Sequence, residues 1–220
     1  MLCDAILVAS RLFHELEPRA PFYDDYLNSK RTELWESPDA LTLAEIERLI
    51  LFLNQWASRY ESSSAQQRRL LDAIRKVLPF VQAAQGSTLM GLDLKGPLRR
   101  DIARAFDTIA SCGSRYEATA ASKILHTIDP RLFVMWDRSI QLGYAVGDRG
   151  EEYAQRFLPR VQNLALRAVE EYLQSRRVSS EAALEALTQC GHTFAKVLDE
   201  YNYAKFTMRR DEVWDTELGP

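Results

Sequence analysis

The chain has 220 residues, 46% of them hydrophobic and 27% charged, a balance that suits a soluble globular protein able to bury a large core as one domain or as two helical lobes. Its formal net charge of −3 excludes a chain that is basic throughout. Three cysteines, Cys3, Cys112 and Cys190, are too few and too scattered for a disulfide framework, a zinc site with paired-ligand spacing or an iron–sulfur centre, so no metal cluster and no cofactor is expected.

The first predicted element is a helix over residues 3 to 16, with an apolar stripe through Ile6, Leu7, Leu12, Phe13 and Leu16 that Pro18 and Pro21 end. Its Met1–Arg11 start lacks a basic region, and no window of the chain holds eighteen apolar residues. Neither a secretory signal nor a membrane span is expected, and a reducing cytoplasm is the expected location. Thr42-Leu-Ala-Glu45 reads as a capping box in which the hydroxyl and the carboxylate satisfy free amides reciprocally. The helix it opens carries Ile46, Leu49, Ile50, Leu53 and Trp56 at the spacing of a buried face.

Ser62 to Ser64 break the chain, and a second helix through Leu70, Leu71, Ile74 and Leu78 is expected to kink or end at Pro79. A loop follows between Gln85 and Pro97. Pro97 then opens a helix through Ile102, Phe106 and Ile109 that stops at Cys112-Gly113. The next helix runs from about Tyr116 to Ile128, followed by Asp129-Pro130, a short apolar run Leu132–Trp136, and a helix from about Arg138 to Ala145. A long helix from Glu151 to Arg176, strained at Pro159, and a last main helix from Ser179 through Leu198 complete the pattern. Nothing alternates with period two for long, so the fold class is all-α. The tail beyond Thr207 is expected to be less ordered.

Charge is uneven. Between Lys95 and Arg138 stand eight basic residues (Lys95, Arg99, Arg100, Arg104, Arg115, Lys123, Arg131, Arg138) against five acidic ones, which makes that segment +3 and the rest −6. Such a patch attracts phosphate even on an acidic protein, although a solvated helix face accounts for the same charges. Within the segment, Asp137 follows the apolar run and begins a helix. Two roles fit it: an N-cap, or a carboxylate held at the edge of a cleft. His14 and His192 have no paired carboxylate spacing, so no metal ligand is assigned among them.

The stretch from Gly113 to Ile140 resembles the core of the helix-hairpin-helix DNA glycosylase superfamily, the all-α base-excision enzymes that include 8-oxoguanine glycosylases. The counterparts are Gly113, then Ala118-Thr-Ala-Ala121, then Pro130, then Phe133-Val-Met-Trp136, then Asp137. The resemblance implies two helical lobes, one over residues 42–130 carrying the hairpin and the other formed by 1–41 with 131–220. It implies cleavage of the N-glycosidic bond of a damaged or modified base in double-stranded DNA, with Asp137 as electrostatic catalyst. Lys123 would be the amine for an additional lyase step, its bland alternative being a helix lysine in solvent or on a phosphate. Gly113, Arg115, Lys95, Arg99, Arg100 and Arg104 would position phosphates, and Trp136, Phe133 and His126 would be candidates for the base pocket, each equally at home in a core.

The chain departs from the family in two places. Its hairpin reads Ser111-Cys-Gly-Ser-Arg-Tyr116, with one glycine where the family carries Leu-Pro-Gly-Val-Gly. Counting back from Asp137 at the family spacing lands on Ala118 or Thr119, and Lys123 sits about one helical turn further on. These departures favour the alternative of a glycosylase-like module that binds DNA or protein without chemistry. Neither the base removed nor the oligomeric state is readable from the sequence.

Overall fold

The computed structural model describes residues 1–56, 58–84, 86–188 and 191–210, and every regular element among them is helical. The all-α expectation therefore holds. Cys190 and the tail beyond Arg210 lie outside the described residues. No helix among those described is long and apolar enough to cross a membrane.

Helix α1 (Leu2–Leu16) buries Ile6, Ala9 and Phe13 along one stripe. Two elements follow that the apolar pattern did not announce, α2 (Ala20–Ser29), with Pro21 in its first turn, and the short α3 (Thr32–Trp35). A proline there has no amide to waste and a φ already suited to a helix, so Pro21 starts α2 as well as closing the segment before it. In α4 (Leu43–Gln55) half of the expected capping box forms. Thr42 accepts the Glu45 amide at 3.4 Å, but the Glu45 carboxylate turns to Arg48 (3.2 Å).

Helix α5 (Ser64–Gln82), capped by Ser63, continues through Pro79 for a further turn to Gln82, so the expected stop at that proline is not observed. Buried Val77, Leu78 and Val81 on either side of it show that packing outweighs one missing hydrogen bond. Helices α6 (Leu98–Ala110) and α7 (Ala118–Ile128) follow, then the extended run 132–136, α8 (Arg138–Gly143) and the single turn α9 (Gly150–Glu152). Helix α8 stops short of Ala145, whose φ of 49° leaves the helical region.

The strain expected at Pro159 is relieved by a π turn over Tyr153–Phe157, after which Pro159 sits in the first turn of α10 (Leu158–Arg176). The expected last helix is two helices, α11 (Ser180–Leu187) and α12 (Phe194–Asn202), with Gly191 at φ +74° between them and Thr193 capping the second. A second π turn, Tyr203–Thr207, ends the described helices.

Helix α1 packs on α10, α11 and α12, while α4 through α7 pack in sequence on one another. Helix α6 also packs on α9 and the first π turn, and α2 on α4, so one continuous apolar core joins the two sets. At the closest approach, the Gly150 α-carbon lies so near α6 that a Cβ there would fall 2.1 Å from the Ala103 carbonyl oxygen.

Candidate active site

Among the described residues the apolar run 132–136 has no strand to pair with; the Leu132 and Phe133 amides turn back to the Asp129 carbonyl, and side chains take other backbone groups of the run. The Trp136 amide donates to Ser122 Oγ (3.2 Å) and the Trp136 indole to the Ala118 carbonyl (3.3 Å). The Tyr153 hydroxyl donates to the Val134 carbonyl (2.8 Å), and His126 Nδ1 is 2.6 Å from the Phe133 carbonyl. The small residues Ala118, Ala120 and Ala121, all buried, let the run lie close along α7. Because Ser122 precedes Lys123 and Trp136 precedes Asp137, this seam brings the segments that carry Lys123 and Asp137 together.

Both line one cleft together with Phe13, Trp56, Met135, Trp136, Ile140, Tyr203, Asp199, Glu17 and Arg19. Lys123 is only 9% exposed. Its Nζ donates to the Trp56 carbonyl (2.6 Å) and to Ser58 Oγ (3.1 Å), and it lies 5.5 Å from the Trp56 ring centroid. Burial lowers its pKa from 10.5 to about 8 against the pull of Asp199 and Asp137, which favour the ammonium form. A neutral lysine amine has two N–H donors and one lone pair. The two acceptors found here take both donors and leave the lone pair unused.

Asp137 is half-buried and caps α8. Its Oδ1 accepts the Ile140 amide (2.9 Å) and its Oδ2 accepts the Thr207 hydroxyl (2.6 Å). On the same cleft, Arg19 forms a forked ion pair with Glu17 (2.5 and 2.8 Å), and Tyr203 donates to Glu17 (2.8 Å) while accepting from Arg19 (2.8 Å). Burial works against the Glu17 charge, but those hydrogen bonds hold its carboxyl below the usual range. Beneath the cleft, Lys196 is wholly buried and bonds Asp199 (2.8 Å) under the faces of Phe13, Tyr23 and Trp56. Burial pushes the Asp199 carboxyl up despite Lys196.

Of the three base-pocket candidates, only Trp136 reaches the cleft. Phe133 is buried in the core, and the fully buried His126 is held between the Tyr23 hydroxyl (2.7 Å) and the Phe133 carbonyl. Burial drives the His126 pKa down to about 3, so the ring stays neutral as a core hydrogen-bonding spacer. Tyr144, another aromatic near the motif, is likewise buried on Asn202 (2.8 Å).

None of Gly113, Arg115, Lys95, Arg99, Arg100 and Arg104 lines the cleft. Arg100 and Arg104 flank a separate surface depression with Glu151 and Gln155. Arg104 also pairs with Asp101 (2.7 Å), and Arg115 is clamped by Glu117. Gly113 is not in the left-handed region, although a Cβ there would press to 3.3 Å of the Arg115 carbonyl oxygen. Its loop is fastened to α5 by Arg69, which donates to the Cys112 carbonyl (3.0 Å), and to the segment before α5 by the Tyr60 hydroxyl, 3.0 Å from Cys112 Sγ.

Asp199 from α12 and Tyr203 from the π turn after it also line the cleft. Trp56, Glu17, Arg19 and Phe13 were not singled out as site residues by their spacing. Trp56 and Phe13 fall on apolar stripes like any core residue, and Glu17-Pro-Arg19 sits between helices where periodicity carries no signal. No family model matches the chain, no curated protein matches it in sequence, and no solved structure matches it in fold.

Proposed function

We propose that the cleft binds an extruded nucleobase and cleaves its N-glycosidic bond, making the chain a DNA glycosylase with an amine-dependent lyase step. The observation that supports this most directly is the pairing of Lys123 and Asp137 on one cleft, with the amine desolvated and both its donors occupied. Aromatic and apolar walls from Phe13, Trp56, Trp136 and Tyr203 suit a flat base.

In the proposed reaction the Lys123 lone pair attacks C1′ as the C1′–N bond to the base breaks with its electrons. The Asp137 carboxylate stabilises the positive character that develops on the sugar. The proton released from the amine goes to the departing base, so charge balances. Opening of the C1′–O4′ bond, with the remaining N–H proton passing to O4′, then gives the Schiff base from which strand cleavage proceeds by elimination. In this reading the α6–α7 turn acts as the hairpin between two lobes. Gly113, Arg115, Lys95, Arg99, Arg100 and Arg104 would hold the phosphate backbone away from the reacting atoms, contributing affinity without sequence preference.

One observation favours the alternative of a DNA-binding or protein-interaction module without chemistry: both Asp137 oxygens already have donors within the protein. Duplex oligonucleotides bearing single damaged or modified bases separate the two. A borohydride-trapped covalent adduct that disappears in Lys123→Ala supports the lyase mechanism. Base release without an adduct, lost in Asp137→Asn, supports a hydrolytic one. DNA binding with neither product refutes catalysis and leaves the module.

A further inference from the structure

His14 ends α1 and His192 stands just before α12, yet the packing of α1 on α12 brings both rings to Glu200. Their centroids are 5.1 Å apart at 38°. Glu200 Oε1 lies 2.9 Å from His192 Nδ1 and 3.3 Å from His14 Nε2, and one ligand atom from each of the three residues falls within 4.8 Å of the others. Zinc bonds of about 2.0–2.2 Å in a tetrahedral arrangement place donor atoms roughly 3.3 Å apart, close to the two distances from Glu200 Oε1. From these positions we infer that His14, His192 and Glu200 form a three-ligand site for a first-row divalent metal ion of the zinc class.

The surroundings match what such a site needs. Ligating imidazoles characteristically donate their second N–H to a carboxylate, and His192 Nε2 lies 2.8 Å from Asp24 Oδ1. The second oxygen of Glu200 is occupied by the Ser10 hydroxyl (2.5 Å), which turns Oε1 toward the histidines. His14 Nε2 is shut off from solvent and has no aligned hydrogen-bond partner among the described residues.

Glu200, and Asp24 behind His192, supply negative charge for a divalent ion, with the Lys196 ammonium beside them. Lys196 approaches Glu200 Oε1 at 3.4 Å and bonds Asp199 more closely, at 2.8 Å. Metal entry requires His192 Nδ1 to release its proton to solvent while Nε2 keeps its contact with Asp24. Two nitrogens and one oxygen leave a coordination position open, and the 26% exposure of the His14 side chain sets the cluster near the surface. The ion would tie α1, α2 and α12 together behind the cleft without lining it.

The test uses the full chain treated with chelator and then titrated with Zn²⁺ by calorimetry and with Co²⁺ by visible absorption. The expected result is one equivalent per chain, the spectrum of a cobalt site of four or five ligands, and a Tm raised by Zn²⁺. Binding should weaken at least tenfold in His14→Gln and about 10- to 100-fold in Asp24→Asn, which alters only the partner of a ligand. Both positions reach the surface, so these variants report on the site where Glu200→Gln risks unfolding the core. A wild-type chain that takes up no Zn²⁺, or takes it up with equal affinity in both variants, overturns the assignment. None of these readouts depends on DNA, so either result leaves the glycosidic reading standing or falling by its own assay.

Discussion

An amine that must act as a nucleophile has to be neutral part of the time, and Lys123 is placed so that its ionisation can be followed directly. At a pKa of about 8, roughly a tenth of the Lys123 side chains are uncharged at pH 7. A lysine titrating at 10.4 has roughly four in ten thousand. Labelling by formaldehyde and cyanoborohydride, read peptide by peptide in a mass spectrometer, should therefore rise about fivefold at Lys123 between pH 7 and 8. It should then level off above pH 9 at about elevenfold the pH 7 value. An unperturbed lysine keeps gaining close to tenfold per pH unit across that range.

Asp137→Asn adds a sign test. Asparagine caps a helix as well as aspartate does, so α8 is retained. Losing the carboxylate removes a charge that favours the ammonium, and the Lys123 midpoint should fall. Labelling at pH 7 then increases while base release decreases, two effects in opposite directions from one substitution. A Lys123 profile with no plateau below pH 10, or a midpoint that rises or stays put in Asp137→Asn, refutes the account of how this amine is tuned.

Other expectations can be checked more briefly. Lys123 has a lower pKa folded than unfolded, so between about pH 8 and 10.5 the unfolded chain binds more protons and native stability rises with pH. Measured by urea denaturation, wild type should gain on Lys123→Met by up to roughly 3 kcal/mol across that window and show a flat difference below pH 7. The burial-lowered pKa of Lys30 cancels in that comparison. A difference that stays flat up to pH 10.5 would show that Lys123 does not enter the fold as a desolvated ammonium. Gly150→Ala drives a methyl group into the Ala103 carbonyl and should cost about 1–3 kcal/mol or more, seen as a lower urea midpoint with unchanged slope. Arg100→Ala with Arg104→Ala should reduce the slope of log affinity against log salt for duplex DNA by about two. Base release at saturating DNA should not change, since neither residue lines the cleft. An unchanged salt slope would remove α6 from the DNA-facing surface.

The helical character of this chain was legible because it depends on local repeats. Apolar residues at i, i+3, i+4 and i+7, a Thr42 or Ser179 ahead of them and a Gly or Pro after them carry the same meaning wherever the helix ends up. Asp137 was legible for the same reason, since a carboxylate between an extended run and a helix caps it in almost any fold.

What tertiary structure alone decided is which helices meet. Lys123 became a buried amine because Trp56, from a distant helix, closes over it; Phe133 became core because the run 132–136 turned it away from the cleft, and His126 because α7 set its ring between the Tyr23 hydroxyl and the Phe133 carbonyl. Glu17, Arg19 and Asp199 joined the site, and His14 joined His192, through packing of the two ends of the chain against each other. Desolvation and charge pairing depend on distances between such segments, and periodicity within a single helix holds no record of them.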